Sequence, residues 1–343
     1  MSGRDKNPHK RPLHLPIVQT DGNGNGNAHG EALADTHVAH SVGCAQAARP
    51  VVRKPPWLKT RARFGPNYRD LKGIMRTLDL HTVCEEAGCP NIFECWEDRE
   101  ATFLILGQKC TRRCGFCDVE TARPEGVDED EPRRIAEGVK AMGLRYVVLT
   151  GVARDDLPDG GAAVWAASIR AVRAAVPGCR IEVLPPDFKG RREDIATVIE
   201  AEPDVFAHNL ETVRRLHRRI RPGFDYDRTL DTLRIAKDLR PGQVTKSNLI
   251  LGMGERPDEV TDSLRDLRAV DVDLMTLGQY LQPTQFHLPV DRWVTPDEFS
   301  EHARAGTAMG FAHVEAGPLV RSSYHAGKQL QRAEARVPSA GQR

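Results

Sequence analysis

The chain has 343 residues, 40% of them hydrophobic and 28% charged, with a formal net charge of +1. This is the composition of a globular protein of one large or two ordinary domains, and so neutral a balance argues against a nucleic-acid binder working through bulk charge. No apolar run reaches membrane-span length, and residues 1–50 lack the apolar core of a secretory signal while carrying Asp5, Asp21, Glu31 and Asp35, so a reducing cytoplasm is expected.

Residues 1–48 include Asp21-Gly-Asn-Gly-Asn-Gly-Asn27 and few large apolar side chains, which predicts disorder. Order is expected from about Arg53, within an N-terminal segment, 49–100, that carries three cysteines. From residue 101 short apolar runs alternate with helical patterns. The predicted strands are Thr102–Leu106, Tyr146–Thr150, Ile181–Leu184, Val205–His208, Val244–Leu251 and Leu274–Leu281. Their continuous apolar character suits strands buried on both faces. Predicted helices include Arg133–Met142, Ala162–Val176, Arg192–Ala201 and Asp258–Val270. Thr295-Pro-Asp-Glu298 combines a cap residue, a proline at the first helical position and a glutamate three residues on, so a late helix is expected through Met309. Six alternating units imply parallel strands with right-handed crossovers. The expected fold is α/β, a partial six-unit (β/α)6 barrel over 101–294 with N- and C-terminal extensions, the latter 295–343. An open sheet is the alternative, because periodicity does not distinguish the two.

Six of the eight cysteines form two triads. Cys84-Glu-Glu-Ala-Gly-Cys89-Pro-Asn-Ile-Phe-Glu-Cys95 is a C-x4-C-x5-C run, and Cys110-Thr-Arg-Arg-Cys114-Gly-Phe-Cys117 is C-x3-C-x2-C. Cysteines clustered in a reducing compartment read as metal ligands rather than disulfides. Three thiolates on a tight loop can hold three corners of a cubane iron–sulfur cluster and leave the fourth iron open for chemistry. A structural zinc site would want four protein ligands. The second triad directly follows the first predicted strand, at the C-terminal edge where parallel α/β folds carry their active sites. Cys179 reads as a packing residue and Cys44 as one without a role.

The second triad resembles the radical S-adenosylmethionine superfamily. The first triad narrows the resemblance to the lipoyl synthase family, as do Ala101-Thr-Phe-Leu-Ile-Leu-Gly107, Arg154-Asp-Asp-Leu157, Pro186-Asp-Phe-Lys-Gly190, His208-Asn-Leu-Glu211, Thr245-Lys-Ser247, Leu277-Gly-Gln-Tyr-Leu-Gln-Pro283 and Arg321-Ser-Ser-Tyr-His-Ala326. The match covers about residues 50–330. It implies two 4Fe-4S clusters and S-adenosylmethionine, and sulfur insertion at C6 and C8 of an octanoyl chain held on a lipoyl carrier protein. A radical cluster on Cys110, Cys114 and Cys117 would bind the sulfonium cofactor. An auxiliary cluster on Cys84, Cys89 and Cys95 would donate sulfur. The resemblance makes Ser323 the fourth auxiliary ligand, with Ser322 the alternative, although a serine there could equally satisfy a turn. It puts Phe116 beside adenine and Thr150 near the methionine amino group, where Arg154-Asp155-Asp156 competes with a plain surface salt bridge.

Asn209 and Glu211, at the end of the fourth predicted strand, suit the ribose or methionine part of the cofactor; helix capping is the plainer explanation. Leu249-Ile-Leu-Gly-Met-Gly254 lacks a phosphate fingerprint and suits close approach to adenine. The basic run Arg214-Arg-Leu-His-Arg-Arg-Ile-Arg221 is either a docking field for an acidic carrier or a solvated helix face pairing with nearby carboxylates. Expected partners are the octanoylated carrier domain and an electron donor such as a flavodoxin or ferredoxin; no nucleic acid or membrane partner is expected. A methylthiotransferase-like enzyme would want an RNA-binding domain, and none is visible after residue 330. A simple electron carrier would need no vacant iron and no long α/β body.

Overall fold

The computed structural model describes residues 53–59, 64–78, 80–86 and 89–336, so the disorder expected over 1–48 falls outside them. Seven strands form one parallel sheet: β1 (Ala101–Ile105), β4 (Tyr146–Gly151), β5 (Arg180–Leu184), β6 (Val205–Ala207), β7 (Val244–Leu251), β8 (Leu274–Gln279) and β9 (His313–Gly317), hydrogen-bonded in that order. Two further pieces, β2 (Lys109–Cys110) and β3 (Glu120–Thr121), pair with each other as a small parallel clasp. The six expected strands are all present, within a few residues of their predicted ends. β9 is additional, pairing with β8 from Leu274–His313 to Gly278–Gly317. Its sequence, His-Val-Glu-Ala-Gly, is half-buried and has no apolar run to announce a strand. Among the described residues β1 and β9 each have one sheet neighbour, so the α/β sheet is not closed by backbone pairing.

Helices return the chain between strands, at Glu131–Ala141, Ala162–Ala175, Arg192–Ile199, Tyr226–Leu239, Pro257–Ala269 and Pro296–Ala308. The cap read from sequence forms: Thr295 Oγ1 accepts the Glu298 N–H at 3.2 Å. Alternation along the strands divides the faces. Odd-numbered residues such as Phe103, Val147, Leu149, Ile181, Val183, Leu249 and Leu277 pack in the apolar layers with Trp165, Ile169, Leu264 and Phe299. Even-numbered residues such as Thr102, Glu182, Lys246, Asn248 and Thr276 are buried too, but polar. They line the face turned away from the helices.

Burying polar groups there is tolerable only because they satisfy one another. The Lys246 ammonium lies 2.9 and 3.1 Å from the two Glu182 oxygens, both side chains fully buried, and Tyr146 donates its hydroxyl to Glu182 at 2.6 Å. Lys246→Ala leaves a buried carboxylate without its counter-charge and should cost about 3–5 kcal/mol, whereas Lys246→Met combined with Glu182→Leu should recover most of that loss. Urea denaturation of wild type and the two variants measures both quantities.

Candidate functional site

The two cysteine triads sit at opposite ends of β1. At its start, the preceding segment runs along the strand's free edge. Thr82 forms an antiparallel bridge with Phe103, and the Leu104 N–H donates to the His81 carbonyl at 2.9 Å. Thr82 then opens the short helix Val83–Glu86, which holds Cys84. The Cys89 N–H donates to the Cys84 carbonyl at 3.1 Å, and the Cys95 N–H to Asn91 at 2.9 Å in the helix Ile92–Glu97. Trp96, fully buried 5.2 Å from the Tyr68 ring, anchors that helix.

A segment from the other end of the sequence completes this site. Asn91 Nδ2 donates to the Leu319 carbonyl at 2.7 Å, the Tyr324 hydroxyl to Glu94 at 3.2 Å, and Lys328 pairs with Asp98 at 3.3 Å. The segment approaches β8 so closely that a Cβ on Gly278 would lie 2.0 Å from the Val320 carbonyl oxygen, so only glycine fits. Cys84, Cys89, Cys95, Arg321, Ser323 and Tyr324 thereby line one cavity of about 410 Å3, the open space at its mouth included. Ser323 faces it and Ser322 is not part of the wall.

The electrostatics of this cavity are unbalanced. Burial, then the neighbouring Cys89 thiol, pushes Cys84 up to about 12. Burial, then Cys84 and Cys89, raises Cys95 well above the ordinary thiol range, and burial raises Cys89. Beside these thiols lies Arg321, its guanidinium depressed by burial with Cys89 as the opposing influence. It donates to the Val320 carbonyl at 2.7 Å, and among the described residues no carboxylate forms a salt bridge with it. Thiolates crowded without a cation, next to a buried cation without a carboxylate, fit a group that brings both iron and charge. Among the described residues no three Cys, His, Asp or Glu side chains converge on a single metal-ion position. A cubane spreads its thiolates over separate irons, so the donor set fits a cluster better than one ion.

Past the other end of β1 the chain turns sharply through Leu106 and Gly107, at φ 68° and 87°. The β2–β3 clasp then closes the loop of the second triad. Cys110 Sγ accepts the Arg112 N–H at 3.4 Å and the Ala153 N–H at 3.3 Å. Burial pushes Cys114 up to about 12, with Arg221 pulling the other way, and Cys117 up to about 11. Two thiols held protonated by burial would again be stabilised as thiolates by iron. Phe116 is half-buried against the second apolar layer, and Thr150 is half-buried on β4.

Glu211 is the structural focus beside this loop. It is buried at φ 67°, a conformation that costs energy for a non-glycine residue and often marks a site. Asn209 and Asn248 donate to its two oxygens at 3.0 and 2.9 Å. Burial raises its carboxyl, against Arg221 and those two amides. Arg221 is itself buried and donates to the Asn209 carbonyl at 2.7 Å. Asn209 Oδ1 is buried with no partner, an acceptor aimed at nothing in the protein. Burial, then Arg221, pushes His208 down to about 3, so its imidazole is neutral. Arg112, inside the cysteine loop, bonds Asp155 and Asp187 at 2.7 Å each, and the Phe224 ring lies between Arg112 and Arg221 at 4.2 and 3.7 Å.

Other sequence-level alternatives also resolve. Arg154 is not a solvated surface residue: it is nearly buried and holds the Leu106 and Glu125 carbonyls as well as Asp156. The Gly252 and Met253 N–H groups are both taken by Glu255, so they cannot cradle a phosphate. Arg214 and Arg215 in the helix Arg214–Ile220 pair with Asp227 and Glu259 at 2.7 Å, as a solvated helix face would. Arg221, Asn248, Asp187 and Arg321 were not singled out from the sequence as site residues. Arg221 was hidden among surface arginines, and the others lay inside quoted motifs with nothing to mark them as charged or polar interior.

The chain matches the Radical SAM superfamily over residues 104–267 and the N-terminal domain of lipoyl synthase of the Radical SAM family over residues 32–89. It is 59% identical to the lipoyl synthase of Mycolicibacterium gilvum, covering 82% of this chain and 88% of that protein. It is 58% identical to that of Mycolicibacterium smegmatis, covering 86% and 93%. Its fold is similar to HydG, a maturase of the FeFe-hydrogenase, with a TM-score of 0.50 at 13% identity, covering 71% of this chain and 62% of HydG.

The network around Arg112 gives a pH test. Burial alone would raise Asp187, but Arg112 outweighs it, and with His208 and Arg228 the carboxyl falls to about 2. A carboxyl lowered in the folded state contributes stability that is complete above its unfolded value near 3.9 and is lost as pH falls toward about 2. Asp187→Asn should cost about 2–3 kcal/mol at pH 7, and the gap from wild type should narrow below about pH 4. Urea midpoints at pH 7 and pH 3.5 check this.

Proposed function

The chain belongs to the lipoyl synthase family of the radical S-adenosylmethionine superfamily, and on that premise we propose how its own residues divide the insertion of two sulfur atoms, at C6 and C8, into an octanoyl chain on a lysine of a lipoyl carrier protein. Cys110, Cys114 and Cys117 would hold one 4Fe-4S cluster; Cys84, Cys89 and Cys95, with Ser323, would hold the second. When bound, the first supplies the electron that cleaves S-adenosylmethionine to a radical able to abstract hydrogen from an unactivated carbon, and the second supplies sulfur. One observation carries the reading: a single cavity gathers three cysteines of the N-terminal segment and a serine from the far end of the sequence.

The remaining residues bind and orient. The free Asn209 Oδ1 and the fixed Glu211 carboxylate offer acceptors to the cofactor's ribose hydroxyls or ammonium group. Arg221 holds Glu211 against its desolvation cost. Phe116 offers an aromatic face to adenine, and Thr150 a hydroxyl to the methionine end. Ser323 offers oxygen where a cysteine would give sulfur, a harder and weaker donor suited to a cluster that is dismantled in use. The same reading makes 49–100 the auxiliary-cluster segment, 101–294 the radical body and 295–343 the serine-bearing cap. It places the protein in the cytoplasm, with an octanoylated carrier domain and a flavodoxin- or ferredoxin-type reductant as partners. Among the described residues no helix is long and apolar enough to cross a membrane.

Reconstituted protein should hold about eight irons per chain, from two four-iron clusters. Replacing Cys110, Cys114 and Cys117 with alanine should abolish 5′-deoxyadenosine formation. Replacing Cys84, Cys89 and Cys95 should spare some cofactor cleavage and stop sulfur insertion. Each triple variant should keep about half the iron; a wild type that binds only one cluster would contradict the assignment.

Ser323→Ala should leave the radical cluster's spectrum intact, alter the auxiliary one, and lower lipoyl product far more than 5′-deoxyadenosine. Unchanged spectra and normal product would return Ser323 to the role of a turn residue.

A further inference from the structure

Three segments meet at Gly115, in the middle of the Cys110–Cys117 loop. Its N–H donates to the carbonyl of Ile220, the last residue of the helix Arg214–Ile220, at 2.7 Å, and its carbonyl accepts the Leu288 N–H at 3.1 Å. Each segment presents something unused at the surface. Arg113, between Cys110 and Cys114, is exposed, as are Arg218 and Arg219 on the helix, and none has a carboxylate partner among the described residues. The neighbouring Arg214 and Arg215 are already neutralised by Asp227 and Glu259. The third segment carries Phe286, 84% exposed.

A single exposed phenylalanine needs no explanation, but this one is held in place. Its N–H donates to Thr284 Oγ1 at 3.3 Å, Thr284 bonds His287 Nδ1 at 2.9 Å, and His287 Nε2 lies 3.0 Å from the Cys117 carbonyl oxygen. A rigidly presented aromatic flanked by unpaired arginines has the chemistry of a protein-binding centre, where aromatic and arginine side chains carry most of the energy. The carboxylates of the cysteine loop on this side are Asp118, drawn to 3.9 Å from His287, and Glu120.

We propose that Phe286, Arg113, Arg218 and Arg219 form the docking surface for a small acidic one-electron carrier protein that reduces the cluster held by Cys110, Cys114 and Cys117. The proposal rests on that cluster assignment. The occupant follows from position and charge. An electron must arrive at this loop, and the patch sits on the loop itself. A lipoyl carrier reaches its target through a long lysine arm and has no need to cover it. The step is a transfer of one electron from reduced donor to oxidised cluster, with no bond made or broken.

The test uses the full-length reconstituted protein with reduced flavodoxin as probe and dithionite as a reductant that needs no docking. Stopped-flow absorbance follows reduction of wild type, Phe286→Ser and the Arg218→Glu/Arg219→Glu double variant. With flavodoxin, each variant should be reduced about tenfold more slowly than wild type. The wild-type rate should fall as salt rises and the double variant should lose most of that dependence. With dithionite all three should match, and all should yield 5′-deoxyadenosine. Wild-type rates with flavodoxin would overturn the proposal, as would equal losses with both reductants. So would a defect confined to turnover on the intact carrier domain, which would give the surface to the carrier. Failure of wild type to form 5′-deoxyadenosine even with dithionite would instead refute the cluster assignment beneath it.

Discussion

One five-residue strand fixes the distance between the two metal-binding regions. At about 3.3 Å per residue, β1 separates them by roughly 17 Å of backbone. Ala101 and Thr102 line the auxiliary cavity at one end, and the left-handed turn at Leu106 and Gly107 starts the second cysteine loop at the other. β1 lies at the end of the sheet, so its outer edge is free to carry the chain that bears Cys84. Its burial on both sides makes it a stiff spacer. A hydrogen-abstracting centre and a sulfur-donating centre that serve one acyl chain need such a fixed gap, since a shift of about an ångström between reacting groups can be expensive.

Charge inside the sheet is the second constraint. Its polar face carries Glu182 with Lys246, Glu211 with Arg221, and Asp187 with Arg112, all substantially buried. Pairs of this kind rarely add stability over apolar side chains of similar size, and removing one partner is costly. The apolar layers around Trp165, Phe103, Leu264 and Phe299 bear the stability instead. Strain follows the same geography. Leu106 and Glu211, both non-glycine residues at positive φ, stand at the start of the cysteine loop and beside it. The auxiliary cavity differs in having a buried arginine and three thiols with no carboxylate between them, so it depends on a group from outside the chain.

The sequence was most legible where chemistry demands a spacing. Ligand cysteines must sit on one tight loop, so both triads could be read directly. The Thr295–Glu298 cap was readable because one turn of chain contains the whole interaction. The β strands buried under helices declared themselves as apolar runs. β9 did not, because a half-buried end strand has no such run. Arg221 could not be separated from Arg214, Arg215, Arg218 and Arg219, since only the fold decides which arginine of a basic run turns inward. Ser323 rested on resemblance until the close approach of Val320 to Gly278 brought it, and not Ser322, to the cavity wall. Arg321 and Asp187 share that dependence: their importance lies in partners remote in sequence.

The central claim is that the cavity of Cys84, Cys89, Cys95 and Ser323 houses the sulfur that enters the product. The most direct measurement is to assemble the clusters with heavy-isotope sulfide, remove free sulfide, and run one turnover on an octanoyl-lysine carrier peptide. Mass spectrometry of the lipoylated product should show both inserted sulfur atoms carrying the heavy isotope. A product with natural-abundance sulfur, or heavy sulfur inserted equally well by the protein with Cys84, Cys89 and Cys95 replaced, would contradict the account.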